Sequence, residues 1–258
     1  MTTGGEPLDH EMFDPRYVVA RRVLLDALFA LKPHGAAFIV VGAQAVYLRT
    51  GSSDLAIAPY TTDGDLVLDP MLLGDDPLLE TTMEAAGFAL LVEDGERTQP
   101  GIWVMTQAAE NGEPIVVPVD LIVPEGATDS VGRRGARLGV HGKQAARRAV
   151  GLEAALVDHD TMRIGSLDLD DQREISVEVA GVAALLVAKA HKIHDRVNAS
   201  RMDRLIDKDA AECLSDHAND FADFGRSNAS GATPTANRGT SDGCRFVVFQ
   251  RVVWPSRK

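Results

Sequence analysis

Apolar and polar positions divide most of the chain into short segments of distinct character. Between residues 15 and 32, Val18, Val19, Leu24, Leu25, Leu28, Phe29 and Leu31 recur near helical spacing, and Pro33 with Gly35 ends the run, which predicts a helix. Residues 37–41 form an apolar run too short for a helix and predict a buried strand. Gly42 opens a turn into a short helix at 44–50, and a polar loop follows at 51–62. The pattern then predicts a strand at 66–68, a helix at 77–86 stopped by Gly87, and strands at 88–92, 102–106 and 115–123. The polar stretch 93–101 reads as a loop. Segments 155–157, 163–169 and 174–179 read as short strands or loop, and 179–197 as a helix. Helices and strands with little strict alternation predict an α/β protein with a mixed sheet.

Two stretches of this pattern carry acids where apolar text would be expected. Asp63 and Asp65 stand one residue apart at the entry to a strand, so their side chains share a face, roughly 6.5–7 Å apart. Asp120 lies inside the apolar run IVVPVDLIV, which reads as a second buried strand. Mg²⁺ favours one or two carboxylates plus substrate phosphates, so these three acids are candidate ligands for one or two ions. The Asp63-Gly64 pair is also a turn signal, and the competing reading is a hairpin turn with solvated acids. A third anomaly is Lys189. Measured from Val182 on a helix, Leu186 falls at about 40°, Ile193 at about 20° and Lys189 at about −20°, in the middle of the apolar stripe. Such a lysine snorkels past the core edge or faces an anionic ligand.

A Gly turn, a helix, Asp-x-Asp entering a strand and a lone Asp on a later strand resemble the nucleotidyltransferase superfamily of DNA polymerase β-like folds. Within it the chain looks most like the AbiEii/AbiGii toxin family, which includes the MenT toxins, over about residues 15–212. That family carries a Lys-rich helix of the pattern Lys-Leu-His-Ala-Leu-x-x-Arg, matched here at Lys189, His191 and Arg196, and then a basic-Asp pair, matched by Lys208-Asp209. The resemblance implies a mixed-sheet nucleotidyltransferase core (1–150), a smaller helical region (151–214) and metal binding by Asp63, Asp65 and Asp120. It further implies that Gly42, Ala43, Thr62 and Lys189 bind the nucleotide, and that Asp209 orients that lysine or assists the attacking group. Mg²⁺ or Mn²⁺ would be the cofactor and a nucleoside triphosphate the substrate. The acceptor would be a tRNA 3′ end or a protein hydroxyl, and the role that of a toxin checked by a cognate antitoxin protein. Two positions depart from the superfamily pattern: Gly42-Ala43 replaces Gly-Gly or Gly-Ser, and Gly64 stands where an apolar residue is usual.

Composition narrows this only at the margins. With 258 residues, 45% hydrophobic and 25% charged, the chain has ordinary globular composition. Cys213 and Cys244 do not read as a disulfide framework. The absence of a long apolar run predicts no membrane span and a cytoplasmic protein. A net charge of −12 argues against a whole-surface nucleic-acid binder, yet 131–152 holds Arg133, Arg134, Arg137, Lys143, Arg147 and Arg148 without one carboxylate. Such a stretch suits a phosphate backbone or a solvated face. Residues 215–258 begin as polar, small-residue text without periodicity, which predicts a disordered or divergent tail. Two alternative functions stand beside the transferase: a non-catalytic nucleotide-binding member of the fold, and an HD-type phosphohydrolase built on His194-Asp195 with His159 and His191.

Overall fold

A computed structural model describes residues 13–50, 61–108, 114–128 and 135–198, with side chains up to Asp195. Lys208, Asp209, Ser52, Ser53, Arg133, Arg134, both cysteines, the side chain of Arg196 and the tail 215–258 lie outside the described residues. The chain runs α1 (Pro15–Ala30), β1 (Phe38–Val41), α2 (Gly42–Thr50), β2 (Gly64–Leu68), α3 (Leu79–Ala85), β3 (Ala89–Glu93), β4 (Arg97–Ala108), β5 (Pro114–Pro124), β6 (Arg147–Ala149), β7 (His159–Gly165), β8 (Glu174–Ala180) and α4 (Val182–Asn198). Among the described residues no helix is long and apolar enough to cross a membrane.

The strands form one mixed sheet in the order β3-β4-β5-β2-β1-β8-β7, with β6 added beside β5. β1 runs antiparallel to β2 and parallel to β8, and β2 runs parallel to β5. Phe38, Val40, Leu66, Leu68, Val119 and Leu121 are buried in the centre of this sheet. Strands buried on both faces read as continuous apolar runs, which is why β1, β2 and β5 carry so little polar text. Leu24, Leu25 and Leu28 of α1 join the same core. Asp14 caps α1, its Oδ1 accepting from the Arg16 amide at 2.7 Å, and Pro15 occupies the first turn, where no amide donor is needed.

The mixed-sheet α/β expectation holds, with three differences of detail. The sheet continues past residue 150, where the sequence suggested that the core ends: β8 is hydrogen-bonded beside β1, and β7 pairs with it antiparallel. The polar stretch 93–101 is a hairpin, because Asp94 (φ 55°) and Gly95 (φ 73°) take the left-handed turn that brings Arg97 opposite Glu93. The basic stretch contributes strand β6, which pairs parallel with β5.

Candidate active site

Register places the acids. Asp65 on β2 lies directly opposite Asp120 on the parallel strand β5, and opposite Val41 on β1. Paired residues share a face, so the two carboxylates project side by side. Gly64 answers the turn alternative. It is the first residue of β2, it is buried, and a Cβ there would sit 3.2 Å from Leu24 Cδ1 of α1. The missing side chain therefore lets α1 close on one face while Asp65 points to the other. The Asp63-Gly64 pair is a strand entry, not a hairpin turn.

Gly42 is fitted to the same carboxylate. Its φ of +67° is the left-handed conformation, and a Cβ would lie 2.2 Å from Asp65 Oδ2. Glycine is required here twice over, by backbone conformation and by space. The turn sends α2 off directly from the end of β1, so the amide end of that helix opens beside Asp65. Buried Arg21 of α1 steadies this end, donating from Nε to Gln44 Oε1 at 3.0 Å and from Nη2 to the Tyr17 hydroxyl at 2.6 Å.

The electrostatics are those of a crowded anionic cleft. Burial, then the charges of Asp63 and Asp120, push the Asp65 carboxyl up to about 7, against the opposing pull of Arg147 and Lys192. The Asp120 carboxyl is also raised, chiefly by burial, although Arg147 draws it back. Arg147 donates to Asp120 Oδ2 from Nε at 3.0 Å and from Nη2 at 2.6 Å. Asp63 is exposed, and the buried Thr61 hydroxyl donates to its Oδ1.

Asp63, Asp65, Asp120, Gly42 and Ala43 thus meet at one end of the central strands. Thr62 is exposed beside them, and it is Thr61 that orients an acid. Lys189 lies buried on the packed face of α4 with Ala184 and Leu185. Lys192, three residues on, is the lysine whose charge reaches Asp65. Asp209 lies outside the described residues. Sequence reasoning placed Arg147 only among the basic residues of 131–152, and it singled out neither Thr61 nor Lys192. For Lys192 a finer signal was at hand, since i and i+3 share a helix face.

Two carboxylates on one face suit a divalent cation whose shell is completed by phosphate oxygens and water, and the desolvated Asp65 is the group that a cation would relieve most. Among the described residues no three His, Cys, Asp or Glu side chains gather closely enough to hold a metal ion by themselves. Asp63 and Asp65 offer two carboxylates to a cation whose remaining ligands substrate phosphates and water would have to supply. The histidines of the phosphohydrolase reading are dispersed in role: His159 shares a hydrogen bond with Glu178 at 2.9 Å, and the His191 ring packs on Gly151.

No protein-family model matches the chain, and no curated protein matches it. Among solved structures it is similar to the crystal structure of an antigenic nucleotidyltransferase-like protein from Paracoccidioides brasiliensis. That similarity amounts to 15% identity over 78% of this chain and 76% of that chain, with a TM-score of 0.45.

Proposed function

We infer that this protein is a divalent-cation-dependent nucleotidyltransferase. The observation that carries the reading is the Asp65–Asp120 pair, set in register on neighbouring parallel strands with Gly42 moulded to one of its oxygens. A bound Mg²⁺ or Mn²⁺ would supply charge neutralisation for the triphosphate and the leaving pyrophosphate. Asp63 and Asp65 would hold it, with the Thr61 hydroxyl fixing the first of these. Gly42 and Ala43 let phosphate approach the backbone at the start of α2, where unpaired amides favour an anion. Lys192 and Lys189 add positive charge from α4.

Asp120 is the general base. The acceptor hydroxyl oxygen bonds to the α-phosphorus as the bond to the β-phosphate bridging oxygen breaks. The hydroxyl proton passes to Asp120, and pyrophosphate leaves. Burial, which raises the Asp120 carboxyl, makes it a better proton acceptor than a solvated aspartate. We extend the proposal to a tRNA 3′ end or a protein hydroxyl as acceptor, and to a toxin restrained by a separately encoded antitoxin. Basic residues of the stretch 133–148 that β6 does not use would face the acceptor. The support for this extension is the sequence pattern around Lys189 alone.

A second reading, nucleotide binding without transfer, is favoured by one observation: Arg147 already occupies Asp120. The test is to incubate the protein with Mg²⁺, total tRNA and each α-labelled nucleoside triphosphate in turn. Label joining tRNA supports the full proposal, and label joining protein redirects the acceptor. Nucleotide bound without any label transferred supports the second reading.

A further inference from the structure

Arg147 is anchored more firmly than a surface cation needs to be. It sits on β6, opposite Ile122 of β5, so its side chain runs back along β5 to Asp120 two residues away. The backbone around it is bonded from two directions. The Gly101 amide donates to the Gln144 carbonyl at 2.8 Å, and Trp103 Nε1 donates to the Ala145 carbonyl at 3.0 Å. The Ala136 amide donates to the Ala146 carbonyl at 2.9 Å, and Gly135 bridges to Arg147 itself. On β4, Gly101 takes a φ of +72°, and a Cβ there would lie 2.2 Å from the Arg147 amide nitrogen. A short strand is thus built into the sheet edge with this arginine aimed at Asp120. Arg148, next along, takes the other face and pairs with Glu125 at 2.8 Å.

Neighbouring strands stand about 4.8 Å apart, so a dication shared between Asp65 and Asp120 would lie within a few ångströms of the guanidinium. Like charges at that separation repel strongly in a partly desolvated cleft. Resting on the transferase reading above, we propose that this site takes a single divalent cation, on Asp63 and Asp65, and that Arg147 supplies the second positive charge at Asp120. The planar guanidinium also suits the phosphate oxygens that a second ion would otherwise touch.

The number of bound ions decides this. Mn²⁺ is titrated into the full chain with a mixture of the α,β-methylene analogues of the four nucleoside triphosphates, and free Mn²⁺ is read by electron paramagnetic resonance. One ion per chain is expected for the natural protein, for Arg147→Lys, which keeps the charge, and for Arg148→Met. Two are expected for Arg147→Met. Two ions on the natural protein overturn the inference whatever the variants do, and leave the transferase reading intact. One ion on an Arg147→Met variant whose circular dichroism matches the natural protein also overturns it. No ion on the natural protein overturns both this inference and the cation dependence beneath it.

Discussion

At Asp65, desolvation and the negative charges of Asp63 and Asp120 act in the same direction, and Arg147 and Lys192 offset only part of them. The folded carboxyl titrates near about 7, whereas an unfolded aspartate titrates near about 3.9. The folded state therefore holds a proton that the unfolded state has lost. This contribution to stability is fully present below about pH 4 and disappears as pH rises through about 7. Asp65→Asn removes the titration. In urea unfolding with chelator present, the variant should match the natural protein near pH 4 and exceed it at pH 8 by on the order of 2 kcal/mol. Parallel stability curves across that range would contradict the assignment. Added Mg²⁺ with nucleotide should recover stability for the natural protein and not for the variant.

Gly42 gives a second residue-scale prediction. Gly42→Ala meets a left-handed backbone costing roughly 1–2 kcal/mol, and its methyl must displace the Asp65 carboxylate. Unfolding should register that loss of stability, and nucleotidyl transfer should fall by on the order of 100-fold, as a misplacement of about 1 Å in a reacting geometry implies. Unchanged transfer would mean that Asp65 need not stay where Gly42 holds it. The role of Gly42 was legible in the sequence as a turn. Its fit against Asp65 was not, because that contact is made only when β1 pairs with β2.

Among the elements, α4 carries Lys192 toward the site, and its start depends on a distant acid. Asp158 Oδ2 accepts from the Ala184 amide at 2.7 Å, and a Cβ on Gly181 would lie 2.1 Å from Asp158 Oδ1. Asp158→Ala should cost about 1 kcal/mol, as the loss of a helix cap does, and speed amide exchange over residues 182–186. Unaltered exchange there would show the cap to be dispensable. Helix α4 itself was plain in the periodicity of Val182, Leu186, Lys189 and Ile193, and so were β1, β2 and β5 as apolar runs. Strand β6 was hidden because its residues are Arg147, Arg148 and Ala149, which read as solvated text. It is a strand because backbone partners on β5 and at Gly135 recruit it. The hairpin before β4 did leave a signal in Asp94-Gly95, which the surrounding polar residues masked. Lys192 was missed in favour of Lys189 because the apolar stripe tells which residues pack, not which charge looks toward an acid.

On the scale of the whole molecule, a net charge of −12 coexists with a site proposed to receive a triphosphate. The fold handles this by spending arginines locally. Arg147 pairs with Asp120, Arg148 with Glu125 and Arg49 with Asp160, so much of the basic text serves to offset acids rather than to form a free basic face. Nucleic-acid binding should consequently be weak, with a shallow dependence of affinity on salt concentration. A steep one, equivalent to six or more phosphate contacts, would contradict this division of charge.

The central claim is that the carboxylates of Asp63, Asp65 and Asp120, gathered at the end of the central strands, drive release of pyrophosphate. The direct measurement is the phosphorus product formed from each nucleoside triphosphate in the presence of Mg²⁺ and total tRNA, by the natural protein and by an Asp63→Ala/Asp65→Ala variant that still folds. Pyrophosphate release by the natural protein, lost by at least 1,000-fold in the variant, is the expected result, on the order of what removing essential charge stabilisation costs. Release of orthophosphate, undiminished in the variant and abolished by His194→Ala, would contradict it and hand the site to hydrolysis.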